Sequence, residues 1–240
     1  MIICEIGLNH FGDIGYSNEY VDVLSSTGCD AFTYQIREKE FYKNSFEGFE
    51  LDFDHYKSIV DRTDKKVGVA LSDLALLPLC EKVGFSFYKT LSWMLPDHSF
   101  IDRFLGGTDK PIYVSTGTSS EDDIIKFNDA FWRYDNQLNF IHTTLDEDVD
   151  KVNLKAISRM KEYCEFGVGF GNHCKNLRVI FASLAYDPQD IWFYVKGNSI
   201  TYTTHHVHPD ENWAVYLTDV SSFIDNIKSI RTAIGDGIKI

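Results

Sequence analysis

Apolar residues along this chain fall into two alternating patterns. Short apolar runs, which predict buried parallel strands, cover residues 2–6, 31–36, 66–71, 86–90, 111–115, 138–143, 166–170 and 191–195. Between these runs, apolar residues recur at helical spacing, most clearly over residues 17–26, 54–63, 121–134 and 220–234. The pattern predicts a chain that alternates strand and helix, as parallel α/β proteins do.

Eight strand–helix units in 240 residues correspond to the length of a minimal (β/α)8 barrel, the TIM barrel. A doubly wound open sheet is the alternative arrangement. It is the weaker prediction, because no Gly-x-Gly-x-x-Gly fingerprint follows any of the predicted strands. No linker interrupts the pattern, so residues 1–240 are predicted to form a single TIM-barrel domain.

A formal net charge of −13 argues against nucleic acid or an anionic membrane as the main partner. Five cysteines without a Cys-x-x-Cys pair predict reduced, buried thiols. No apolar run has the length of a membrane span, and the first strand begins without a preceding signal segment. We therefore expect a cytoplasmic protein that acts on small molecules and binds anions only in a local basic pocket.

Polar side chains cluster where the predicted strands end, which is where TIM barrels place their active sites. Strand ends turn polar in any case as they leave the core, and this accounts for serine and asparagine. It accounts less well for charged and imidazole groups, which are costly near a core. We predict a functional site at these ends. The polar residues there include Glu5, Asn9, Thr33, Gln35, Arg37, Lys89, Ser92, Ser115, Thr116, His142, Asn172, His173 and Lys196.

Several of these strand ends carry motifs that resemble the sialic acid synthase family, meaning N-acetylneuraminate synthase and its relatives. The motifs are CEIGLNHFG at residues 4–12, DAFTYQ at 30–35, FYKTLS at 87–92, KPIYVSTG at 110–117, FIHTT at 140–144, VNL at 152–154 and VGFGNH at 168–173. They follow the family's order across nearly the whole chain. The resemblance implies a TIM barrel that condenses phosphoenolpyruvate with the open aldehyde form of an N-acyl amino sugar.

The resemblance also implies roles for individual residues. Glu5 matches the glutamate near the reacting centre, and His173 matches a histidine that binds a divalent metal, usually Mn²⁺. Lys89, Ser92 and Ser115 match positions that bind phosphoenolpyruvate. The further candidates for substrate binding are Asn9, Gln35, Thr116, His142 and Asn172. A homodimer is a further expectation from the family.

The chain departs from the family pattern at several of its site positions. Thr33 replaces the lysine that grips phosphate, and Met94 replaces an acidic residue. Lys196 aligns with the second metal histidine, and we take it as a catalytic candidate that joins Lys89 in replacing the missing lysine. A Schiff-base role for either lysine is a less favoured alternative. The C-terminal antifreeze-like domain, which in the family reaches into the partner's site, is expected to be absent.

A histidine-rich run after the last predicted strand is the candidate for the missing metal ligands. His206 and His208 alternate on an extended chain and are predicted to point the same way, and Asp210 follows them. Imidazole and carboxylate groups suit Mn²⁺, with Mg²⁺, Zn²⁺ and Fe²⁺ as alternatives. The predicted metal set is therefore His173 with these three residues. The alternative is a polar surface loop. The surrounding segment, about 197–217, is predicted to fold over the mouth.

Three functions remain open at this point. The first is a divergent sialic acid synthase-like enzyme. The second is a different metal-dependent lyase or isomerase on the same barrel, which the lost lysine favours. The third is a non-catalytic relative that binds a sugar or a partner.

Overall fold

The computed structural model describes residues 1–197 and 207–236 of the chain. Its strands are β1 Ile2–Gly7, β2 Ala31–Ile36, β3 Lys66–Leu71, β4 Phe87–Thr90, β5 Ile112–Ser115, β6 Leu138–His142, β7 Gly167–Gly171, β8 Ile191–Lys196 and β9 Val215–Tyr216. The first eight strands pair in chain order, and β1 also pairs with β8 in parallel. This closed barrel confirms the predicted fold class.

The barrel is surrounded by helices that return the chain to the start of each following strand. They are α1 Ile14–Ser26, α2 Lys39–Ser45, α3 Phe53–Arg62, α4 Leu77–Val83, α5 His98–Leu105, α6 Glu121–Phe131, α7 Lys155–Tyr163, α8 Arg178–Ser183 and α9 Val220–Ile234. Among the described residues, no helix is both long enough and apolar enough to cross a membrane.

Helix boundaries differ slightly from the predicted ones because of capping. The helix α1 begins at Ile14 rather than at residue 17, since the Asp13 side chain accepts a hydrogen bond from the Tyr16 amide at 2.7 Å. The helix α6 begins where predicted, because Ser120 and Asp123 form a capping box.

The interior of the barrel is filled by side chains from alternate strand residues. Its lower layer is apolar and consists of Ile3, Ala31, Phe87, Tyr113, Ile141 and Trp192. The Trp192 ring lies 4.9 Å from the Tyr113 ring and 5.9 Å from the Phe87 ring, measured between centroids. Two residues further along, four of these strands place Glu5, Thr33, Lys89 and Ser115 in the layer above. The apolar layer is therefore the floor of the site.

Gly68 of β3 has no room for a side chain, and this gives a test of the interior packing. A methyl group at this position would overlap the Phe87 ring. We expect Gly68→Ala to lower the free energy of unfolding by about 1–3 kcal/mol in urea denaturation.

The matched control is Gly106→Ala at the end of α5. There φ is −71°, and an added Cβ would meet its nearest atoms at 3.5 and 3.7 Å. We expect a change within about 0.5 kcal/mol. Equal stability of the two variants would contradict the assigned interior packing.

Candidate active site

The centre of the barrel mouth holds a buried ion pair between Glu5 and Lys89. The Lys89 ammonium donates a hydrogen bond to Glu5 Oε2, and the exposed fractions of the two side chains are 7% and 4%. Each charge alone would be costly in this position, so the two depend on each other. The ammonium also lies 5.5 Å from the Trp192 ring centroid and 5.9 Å from that of Tyr194.

A cavity of about 130 Å³ adjoins this ion pair. Its walls are Gln35, Arg37, Lys89, Leu91, Ser92, Trp93, Ser115, Leu145, His173 and Tyr194. The Ser92 and Ser115 hydroxyl groups are 2.9 Å apart and are hydrogen-bonded. The volume is that of about four water molecules in the liquid, so the cavity suits a small anion rather than a whole sugar.

The cavity brings together residues that the sequence predicts for one site, namely Gln35, Lys89, Ser92, Ser115 and His173. Burial and the positive charge of Lys89 lower the pKa of His173 to about 3. The imidazole is therefore neutral at neutral pH. Its ring centroid lies 5.4 Å from each of the Tyr194 and Trp213 rings.

Asp210 forms the acidic side of the mouth together with Glu5. Burial and the negative charge of Glu5 raise the pKa of Asp210 to about 8. Asn9 fixes this part of the chain, because its Oδ1 accepts from the Asp210 amide at 3.1 Å. The Asn9 Nδ2 donates to the Val195 carbonyl at 2.9 Å. Asn9 thus ties the end of β1 to β8 and to Asp210.

Lys196 and His208 belong to a separate network that we call the clasp, formed by Tyr16, Lys196, His208 and Glu211. The Lys196 ammonium donates to the Glu211 carbonyl at 2.9 Å and also to its side chain. His208 Nδ1 lies 3.0 Å from Glu211 Oε2, and its Nε2 lies 2.8 Å from the Tyr16 hydroxyl. Both ring nitrogens of His208 are therefore engaged within the protein, and Lys196 does not line the Lys89 cavity.

His142 and Thr116 lie on the helix-facing side of the barrel wall. His142 follows the inward-facing Ile141, and its Nε2 lies 3.0 Å from the Val152 carbonyl. Both residues line a different cavity, of about 460 Å³, between α6 and α7. The Thr116 hydroxyl donates to the Ile141 carbonyl at 3.1 Å.

Asn172 also has its side chain engaged by the backbone. Its Nδ2 donates to the Cys174 carbonyl at 3.0 Å, and this bond shapes the turn after β7. The structure thus separates His142, Thr116 and Asn172 from the ring of side chains around Lys89.

The predicted metal ligands are not gathered in the described part of the chain. There, no group of three or more His, Cys, Asp or Glu residues is placed to hold a metal ion. The charged group that acts on His173 is an ammonium, and His208 is bound in the clasp. His206 lies outside the described residues.

Among the residues that line the cavity, Arg37, Trp93 and Tyr194 had no assigned role in the sequence-based prediction. Arg37 lies two residues after Gln35, and Tyr194 lies two residues after Trp192. Because alternate residues of a strand face the same side, this spacing predicts that both side chains face the barrel interior. Trp93 lies in a short 3-10 turn after β4, and no periodicity marks it.

The buried ion pair gives a second test. Lys89→Met leaves the Glu5 carboxylate buried without a partner, and we expect it to lower the free energy of unfolding by about 3 kcal/mol. The double variant Glu5→Leu/Lys89→Met removes both charges and should regain most of this loss.

Urea denaturation of the two single variants and the double variant forms a double-mutant cycle. We expect a coupling of more than about 1 kcal/mol between the two positions. Strictly additive effects would mean that the two groups do not depend on each other.

Comparison with known proteins places these features in a family. The model of the NeuB family matches residues 19–239. The N,N'-diacetyllegionaminic acid synthase of Campylobacter jejuni is 21% identical, over all of the chain and 78% of that relative. The pseudaminic acid synthase of the same species is also 21% identical, over 98% of the chain and 75% of its own length.

The fold has close counterparts among solved structures. The N-acetylneuraminic acid (sialic acid) synthetase of Leptospira borgpetersenii, in complex with citrate, superposes with a TM-score of 0.88 at 18% identity. The match covers all of the chain and 86% of that structure.

Proposed function

Because this chain belongs to the NeuB family, we propose that it is a divergent sialic acid synthase-like enzyme. It condenses phosphoenolpyruvate with a sugar-derived aldehyde and forms a nonulosonic acid. The names of its relatives support this reaction class, since they are synthases of legionaminic and pseudaminic acid. The observation that carries the proposal is the small cavity in which Lys89 meets Ser92 and Ser115.

That cavity has the chemistry of an anion subsite. Lys89 supplies a fixed cation at the end of β4, and the two serine hydroxyls are hydrogen-bond donors at the ends of β4 and β5. Charge-assisted hydrogen bonds of this kind suit a carboxylate. The size fits the three-carbon part of phosphoenolpyruvate, so the aldehyde has to lie above it, towards the opening.

The proposed reaction forms a carbon–carbon bond between C3 of phosphoenolpyruvate and the aldehyde carbon. The aldehyde oxygen gains a proton, water adds its oxygen to C2, and phosphate leaves. Asp210 carries a proton at neutral pH and is the candidate donor to the aldehyde oxygen. Glu5 is the candidate acceptor for the proton of the attacking water. Lys196 has its ammonium bound to Glu211, and we assign it to positioning rather than to catalysis.

Binding of a divalent metal, with Mn²⁺ as the preferred ion, stays a prediction. It rests on the family resemblance and on the neutral His173 imidazole. Among the described residues, no group of three or more His, Cys, Asp or Glu side chains is placed to hold a metal ion. No step of the proposed reaction is therefore assigned to a metal.

A different lyase or isomerase is the second candidate, and two observations favour it. Thr33 and Met94 are buried, uncharged residues. Thr33 takes the place of the lysine of the family motif, and Met94 takes the place of its acidic residue. Phosphate release from phosphoenolpyruvate that requires an added sugar aldehyde separates the two candidates, because neither a lyase nor an isomerase condenses the two substrates.

Binding of phosphoenolpyruvate is the first test. Lys89→Met should weaken the affinity about tenfold or more in calorimetry, since a charged hydrogen bond is worth about 1.5–3 kcal/mol. Lys82→Met, on the exposed surface of α4, is the matched control and should bind like the parent.

Turnover is followed as phosphate release with a panel of N-acetylated amino sugars. A parent chain that does not bind phosphoenolpyruvate would refute the proposed reaction.

The metal prediction has its own test. We expect the purified chain to hold one Mn²⁺ in metal analysis and His173→Ala to hold none, because imidazole is the predicted ligand. Circular dichroism should show that the variant is folded. A parent chain that takes up no metal from Mn²⁺-containing buffer would remove the metal from the reaction.

A further inference from the structure

The cavity is lined by a second cationic side chain, Arg37, which has no role in the proposed reaction. Arg37 follows the last residue of β2, and its side chain is only 11% exposed. It has the same strand parity as Thr33 and Gln35, so it extends their row one step towards the opening. Arg37 and Lys89 therefore line one small cavity from two different strands.

The Arg37 guanidinium is held in a fixed position. Its Nε and Nη2 donate to the Glu38 carboxylate at 3.1 and 2.9 Å. Its central carbon lies 3.8 Å from the Phe41 ring centroid and 5.0 Å from that of Trp93. Among the described residues, Nη1 has no hydrogen-bond partner. Such a pre-ordered group loses little conformational freedom when it binds a ligand.

The carboxylate that pairs with Arg37 is easier to displace than the one that pairs with Lys89. Glu38 is 39% exposed, whereas Glu5 is 4% exposed. Water can solvate Glu38 when a ligand oxygen takes its place, so this pair separates at a smaller cost than a fully buried pair. Separating Lys89 from the buried Glu5 is costly. The charge available to a second anionic group in the cavity is therefore that of Arg37.

We propose that Arg37 binds the phosphate group of phosphoenolpyruvate, while Lys89 and Ser115 hold its carboxylate. This inference rests on the proposed function and assigns the phosphate partner that Thr33 does not supply. Thr33 is uncharged and lies beside Glu5 in the strand register. A guanidinium presents planar, paired donors, and these match phosphate oxygens well. The phosphate then lies nearer the opening than the three-carbon part.

The alternative is that Arg37 only orders the loop between β2 and α2. Its amide donates to the Tyr42 hydroxyl at 3.2 Å, and Glu38 accepts from Ser72 at 2.7 Å, so a structural role has support. A structural role predicts equal losses for all ligands of the cavity. A phosphate-binding role predicts a loss only for ligands that carry phosphate.

The experiment compares phosphoenolpyruvate with pyruvate, which keeps the carboxylate and lacks the phosphate. By calorimetry, Arg37→Met should weaken phosphoenolpyruvate binding about 30-fold and pyruvate binding less than about threefold. Arg62→Met is the matched control, because Arg62 also pairs with a carboxylate, Asp22, at the far end of α3. It should bind both ligands like the parent.

Two further variants sharpen the test, and the first of them keeps it decisive if Arg37→Met does not fold. Arg37→Lys retains the charge without the planar fork and should show a smaller, phosphate-specific loss. Thr33→Lys in the Arg37→Met background should restore phosphoenolpyruvate affinity. Two outcomes would overturn this inference alone, provided that the parent binds phosphoenolpyruvate. In the first, Arg37→Met loses equal affinity for both ligands. In the second, it loses no affinity for either. A parent that binds neither ligand would overturn the proposed function with it.

Discussion

The ion pair between Glu5 and Lys89 is the constraint on which the rest of the mouth depends. It stands on an apolar floor in the barrel interior, where neither charge is stable alone. Burial lowers the pKa of His173, and the field of the fixed ammonium lowers it further. Burial raises the pKa of Asp210, and the field of the fixed carboxylate raises it further, whereas the ammonium opposes this. The ion pair thus adds to the effect of burial on the pKa values of His173 and Asp210.

The same arrangement recurs at two other cations of the mouth. Arg37 pairs with Glu38, and Lys196 pairs with Glu211, which also contacts His208. In an acidic chain, each cation near the opening therefore has a carboxylate of its own. An anionic ligand has to compete with these carboxylates. The Glu38 side chain is 39% exposed, against 4% for Glu5, so a ligand displaces Glu38 from its cation before it displaces Glu5.

The fold followed from the sequence because its signals are local and repeat along the chain. Apolar runs and amphipathic segments alternate with short spacing, and this pattern leaves few arrangements besides a closed parallel barrel. The site followed in part for the same reason. Residues such as Lys89, Ser115 and His173 meet because the ends of neighbouring strands converge. The alternation of side chains along a strand predicts that the His142 ring lies outside the barrel, because the preceding residue, Ile141, faces inward.

Other features of the mouth were beyond the reach of sequence periodicity. The clasp depends on the conformation of the segment after β8. This conformation brings the Glu211 carboxylate to Lys196. Trp93 reaches the cavity from a 3-10 turn whose direction no alternation fixes. These contacts come from loop conformation and tertiary packing, and neither leaves a periodic signal in the chain.

The replacements relative to the family motif affect both sides of the mouth. Lys89, Ser92 and Ser115 remain around one small cavity, but Thr33 replaces the motif lysine in the same layer of the barrel as Lys89. On the opposite side, an ammonium stands at the position of the second metal histidine. An ammonium cannot ligate a metal and instead attracts a carboxylate, so Lys196 becomes a tie between β8 and the segment that follows it. The chain therefore keeps part of the motif around the small cavity and turns one ligand position of the motif into a structural contact.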